Sequence, residues 1–243
     1  MTVFVLKIIA YATMIIDHLT YAFIPEKING EDNILYIAGR GVGRTAFIIF
    51  AFLIVEGYYH THDRLKYLRN LAIMTIVSEI PYDLLRFGCN ADLYMQSQNA
   101  VWTLMLGYLT LWVVDIMKEK YLIGSPGRYY LSATGIIALA YASGYFGRTD
   151  YGGLGVMCVL IFFFFWRNEF AIDVGLVVFG AASSYMGDGL EPVGAVICMI
   201  LLHFYRGEKG KSCKKLFYLI YPVHMLIIGI IMNFDRIVSL LGL

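Results

Sequence analysis

The apolar positions of this chain run on rather than alternate. Long apolar stretches cover residues 3–24, 34–58, 67–87, 98–117, 129–147, 153–166, 170–186, 190–205 and 215–235, with short polar linkers between them. About 20 apolar residues in a helix span a hydrocarbon core of about 30 Å. The pattern therefore predicts an all-α integral membrane protein, a polytopic bundle of about nine transmembrane helices. Eight or ten also fit, because 153–166 is short and only GDGLEP separates the seventh stretch from the eighth. Short linkers and the lack of an internal repeat predict one domain over 1–243. The first stretch lacks a small-residue cleavage site and exceeds the apolar core of a signal peptide, so it reads as a retained span.

Composition agrees with lipid as the solvent. Hydrophobic residues make up 59% of the chain and charged residues 15%, with a mean hydropathy of +0.68; soluble domains are about half apolar and a quarter charged. A net charge of +1 without a basic tail gives no reason to expect nucleic acid as a partner. Cys89, Cys158, Cys198 and Cys213 are scattered, with neither metal-ligand spacing nor a disulfide framework, so no metal is expected. Loop charge sets the orientation. One side carries Arg64, Lys66, Arg69, Lys118, Lys120, Arg128, Arg167, Arg206, Lys209, Lys211, Lys214 and Lys215, and the other Lys27, Arg86, Arg148 and Arg236. That imbalance puts the N-terminus in the cytoplasm and the C-terminus outside; the chain is expected in the inner, cytoplasmic membrane as a multi-pass protein.

Ionisable residues interrupt these spans. Asp17 and His18 lie in the first, Arg40, Arg44 and Glu56 in the second, Glu79 and Asp83 in the third, and His224 in the ninth, while Gln98 and Asn99 open the fourth. A charge at the bilayer centre costs about 3 kcal/mol even on lenient scales, so these groups are expected to face one another or a wet cavity. Counting about 1.5 Å per residue from each entry point places most of them in the outer half. Glu56, at a helix end beside basic residues, reads as a solvated ion pair. Arg40 and Arg44 share a face, and Gly39, Gly41 and Gly43 between them allow close helix approach.

Lys7 and His18 are eleven residues apart, which at about 100° per residue returns almost to the same face of the helix. One face thus carries a cation at the cytoplasmic mouth and, about 16 Å above it, a titratable base. The cation suits a phosphate-bearing ligand and the imidazole suits proton abstraction. Asp17 points about 100° away from His18, so its natural partner is an arginine of the second span.

The segments LKIIAYATMIIDHLTYAF, GRGVGRTAFIIFAFLIVEGYYHTHDRLKYLRNLAI, SEIPYD, QNAVWTLMLGYL, DYGGLGV and KLFYLIYPVHMLII, in that order, closely resemble the TraX family, nearly end to end. Those membrane proteins are named for the acetylase of the F-type pilin N-terminus. The resemblance implies transfer of an acetyl group from acetyl-CoA. Lys7-x10-His18 is also similar to the basic-residue-x10-histidine signature of the acyltransferase-3 superfamily, with lysine where arginine is commoner. That likeness implies His18 as catalytic base and Lys7 at the CoA entrance. DRLKYLRNL, with Arg64, Lys66 and Arg69, resembles the basic segment of the CoA site, and YPVHM a histidine motif near the C-terminus.

The expected function is therefore an acetyltransferase moving acetyl from cytoplasmic acetyl-CoA to an extracytoplasmic acceptor, a peptide or pilin N-terminal amine. The catalytic group is His18, Asp17, Arg44 and Arg40; the CoA-binding group is Lys7, Arg64, Lys66 and Arg69. Glu79, Asp83, Gln98, Asn99 and His224 form the acceptor or oxyanion pocket. Direct transfer and a route through acetylated His18 both stay open. So do an O-acetyltransferase of an envelope glycan, an anion or small-molecule transporter, a scaffold in an envelope assembly, and the oligomeric state, with a homodimer among the options.

Overall fold

The computed structural model describes residues 1–89, 96–185, 189–211 and 214–241, with 214, 215, 240 and 241 described by their backbone alone. Cys213 and the side chains of Lys214 and Lys215 lie outside the described residues. The described chain is α-helical apart from one small hairpin: α1 (Val3–Phe23), β1 (Lys27–Ile28), β2 (Glu31–Asp32), α2 (Ile34–Gly43), α3 (Thr45–His60), α4 (Arg64–Phe87), α5 (Ala100–Tyr121), α6 (Pro126–Phe146), α7 (Gly152–Phe164), α8 (Glu169–Ser184), α9 (Glu191–His203), α10 (Lys214–Met232) and α11 (Phe234–Leu241). Each stretch predicted to be helical is helical over most of its described residues. The second is interrupted at Arg44, which caps α2 before α3 begins. The hairpin was not expected, although its turn, Asn29-Gly30 with φ of 55° and 88°, has the sequence that such turns favour.

Local chemistry sets the helix ends. Thr2 Oγ1 accepts from Val5 N at the start of α1, and Pro25 holds Ile24 in extended backbone at its end. Asp63 Oδ1 accepts from Lys66 N, so α4 begins three residues earlier than the apolar pattern indicated. Gly88, at φ 63°, supplies the left-handed residue just after it.

The helices are apolar on their exposed faces. Helix α1 buries Thr13, Asp17 and Thr20 together with Leu6, Ala10 and Met14, and exposes Val5, Ile8, Ile16, Leu19 and Phe23. In α4, Thr75, Ser78 and Asp83 are buried while Ile73, Ile76, Val77 and Ile80 are exposed. Lipid rewards this arrangement, because polar groups must find partners inside while apolar ones face hydrocarbon. Among the described residues three helical stretches are long and apolar enough to cross a membrane: Val3–Phe23, Ile34–His60 (α2 and α3 together) and Ala100–Tyr121. Gly152–Phe164, Glu191–His203 and Leu216–Met232 are shorter apolar helices.

The chain forms two compact units, one from Met1–Phe50, Ile76–Gln96 and Leu176–Leu243, the other from Ala51–Thr75 and Ser97–Gly175. In the first, α1 packs on α2 and α10, α2 on α9, and α10 on α11. Helices α1 and α2 are antiparallel and very close: a methyl group at Gly39 would strike Thr20, and one at Gly43 would strike Asp17. Helices α1 and α10 run in the same direction, Phe4 and Tyr11 meeting Phe217, and His18 meeting His224. We expect Gly43→Ala to lower stability by about 1–3 kcal/mol through overpacking, read as an earlier thermal unfolding transition in detergent.

In the second unit α5, α6 and α7 pack on one another. Its core is aromatic, with Tyr58, Tyr108, Phe162 and Phe163 buried. Glu56 departs from expectation. It is buried, 6% exposed, and sits 3.3 Å from His60 one turn on, so it is not a solvated ion at a helix end.

Candidate functional site

In the first unit the close approach of α1 and α2 brings two buried charges together. Arg40 Nη1 donates to Asp17 Oδ2 at 2.6 Å, with Arg40 7% and Asp17 8% exposed. Helix geometry had turned Asp17 towards the arginines, and Arg40 is the one it meets. Arg44, at the break after α2, turns to α9, where its Nε lies 3.6 Å from Glu191 Oε1. Both guanidinium groups are thus held by carboxylates, in the arrangement that makes a buried charge tolerable.

His18 faces α10. Its Nδ1 lies 2.7 Å from Nε2 of His224, and His224 Nδ1 lies 2.7 Å from the carbonyl of Ile220. The ring planes are within 6° of each other and the centroids 4.9 Å apart. That separation is the nitrogen contact plus two ring radii, so the rings meet edge to edge in nearly one plane. His18 is half-buried and His224 buried. Among the described residues no group hydrogen-bonds to Nε2 of His18. Lys7 also faces α10, with Nζ 5.5 Å from the centre of the Phe217 ring. The shared face predicted for Lys7 and His18 is therefore the face against α10.

Three arginines bear electrostatically on His18: Arg40, Arg44 and Arg86. Arg86, from the last turn of α4, lies 4.9 Å from the centre of the Tyr21 ring, and Arg40 lies 5.5 Å from the same ring. Asp83 is buried one turn before Arg86, with Oδ1 lacking a hydrogen-bond partner among the described residues. Glu79, one turn earlier again, interacts electrostatically with it.

The other predicted residues belong to the second unit. Arg64 is 3.4 Å from Asp115 and 4.3 Å from the Tyr58 ring centre, while Tyr58 donates to the same carboxylate. Lys66 and Arg69 are exposed. Asn99 caps α5, accepting from Val101 N, and donates to the carbonyl of Thr75. Gln98 uses its backbone, which bonds to Arg148 and Asp150. The structure therefore gathers Asp17, His18, Arg40, Arg44 and His224 in one unit, and gives Asn99 and Arg64 structural partners in the other.

The pattern of one protein family, described as TraX protein, matches residues 3–232. This chain belongs to the TraX family. The TraX match spans both imidazoles and every charged residue just described. The chain is also similar, at 27% identity over 91% of its length and 92% of the relative's, to a protein of Dichelobacter nodosus described as probable fimbrial assembly protein FimC, serogroup H1. No solved structure matches it significantly.

Three residues of this TraX chain escaped sequence reasoning. Arg86 and Glu191 sit at helix ends, where charge is ordinary, and Asp115 lies beside the basic end of α5. Only Glu191 left a signal, an acid next to Pro192 at the start of an apolar helix.

Proposed function

We propose that this TraX protein is an acyl-CoA-dependent acetyltransferase of the inner membrane, moving acetyl from cytoplasmic acetyl-CoA to the terminal amine of an extracytoplasmic peptide, a pilin above all. The observation that carries this reading is His18. A half-buried imidazole deep in a membrane helix has one nitrogen engaged by His224 and, among the described residues, no hydrogen-bond partner on the other. An open imidazole nitrogen is the group that takes a proton from an attacking amine. The arginines around it offer positive charge to the oxyanion of the tetrahedral intermediate, a donor role commonly worth about 3 kcal/mol. Lys7, on the same face of α1 as His18, supplies a cation for the CoA phosphates. The fimbrial-assembly description of the Dichelobacter relative favours a pilin over a glycan.

A layout of about nine spans with a cytoplasmic N-terminus accompanies this reading. The shared direction of α1 and α10, with α2 opposed, agrees with an alternating order. The test is to incubate the purified protein with acetyl-CoA and a peptide carrying a pilin N-terminus. Free thiol should appear, and mass spectrometry should find an acetyl group on the peptide's α-amine. Thiol release with acetylated envelope glycans instead would move the acceptor to a hydroxyl. Solute flux in proteoliposomes without thiol release would make the protein a transporter.

A further inference from the structure

Resting on the acetyltransferase reading, we infer that His224 is a positioning residue that fixes which nitrogen of His18 is the base, and that it receives a proton from His18 during transfer. A carbonyl oxygen can only accept, so the 2.7 Å contact with Ile220 puts a proton on Nδ1 of His224. In a neutral ring Nε2 of His224 is then the acceptor. The 2.7 Å contact between the rings therefore requires that Nδ1 of His18 donates. The edge-to-edge, nearly coplanar rings point that N–H along the lone pair of its partner. His18 is left with a bare Nε2, the nitrogen without a partner among the described residues.

The same chain of bonds moves charge. When the amine nitrogen attacks the thioester carbon, Nε2 of His18 takes the amine proton and Nδ1 passes its own to Nε2 of His224. The positive charge then rests on His224, whose Nδ1–H already points at the Ile220 carbonyl. His18, with Arg40, Arg44 and Arg86 bearing on it, is spared a full charge of its own. As the C–N bond persists and the C–S bond breaks, the protons return along the same path, and the thiolate leaves as the thiol. No net proton stays on the pair.

The test uses the full chain in nanodiscs. Nitrogen-15 spectra of the labelled histidines should show a ring protonated at Nδ1 and bare at Nε2 that disappears in His18→Gln. His224→Phe removes the acceptor; it should lower kcat about 100-fold, leave KM for acetyl-CoA unchanged, and abolish that signature. His224→Gln places an amide oxygen where Nε2 stood, so it should restore the signature and about a tenth of kcat. A His18 protonated at Nε2 in the native protein, or native kcat in His224→Phe, would overturn the inference. Full recovery in His224→Gln would overturn the proton hand-over. If the native protein released no CoA, the acetyltransferase reading would fail, while the spectra would still decide the tautomer.

Discussion

His18→Ala should lower acetyl-CoA turnover by at least about 10³-fold, within the range that a positioned acid–base group contributes. The protein should stay folded, because His18 is half-buried and its side chain, among the described residues, bonds only to another side chain. His224 keeps its bond to Ile220 in the variant, so the face of α10 holds its shape. The measurement is thiol release by detergent-purified protein, paired with a thermal melt. Native turnover by a folded His18→Ala protein would sink the role given to His18, whichever acceptor is right.

The second large effect falls on stability. Asp17→Ala should destabilise the protein by about 3–5 kcal/mol, the usual consequence of removing one member of a buried ion pair. Arg40 would remain 7% exposed with its 2.6 Å carboxylate contact gone. Arg40→Leu alone should cost a similar amount. Asp17→Ala combined with Arg40→Leu should cost well below the sum of the two, because no uncompensated charge is left behind. A double-mutant cycle read by thermal unfolding checks this. Simple additivity would show that the two charges do not depend on each other.

What was legible in the sequence follows from how local the controlling physics is. Helix positions were readable because lipid demands long apolar runs, and each such run is helical, though 34–58 is split between α2 and α3. The pairing of Asp17 with a second-span arginine was readable from rotation about one helix axis. Choosing Arg40 over Arg44 was not, since it depends on where α2 ends and on Glu191 holding Arg44 from α9. His18 stood out as a base, but rotation about α1 gives only a direction. That α10 lies there, offering His224 at the right height, is a tertiary fact with no local trace. Asn99 was notable as a polar residue at a span entrance, where a helix cap produces the same pattern as a ligand-binding amide.

The two imidazoles are 206 residues apart, and this orders events during synthesis. Once α1 and α2 are in the bilayer, Asp17 and Arg40 can pair, because little chain separates them. His18 has no imidazole partner until the ribosome has made α10. Closing so long a loop is slower than joining neighbours, though its entropic cost grows only with the logarithm of length. A chain terminated before α10 would keep its first ion pair yet lack the hydrogen bond that orients its base. Translation itself thus keeps an unfinished chain from carrying an oriented histidine.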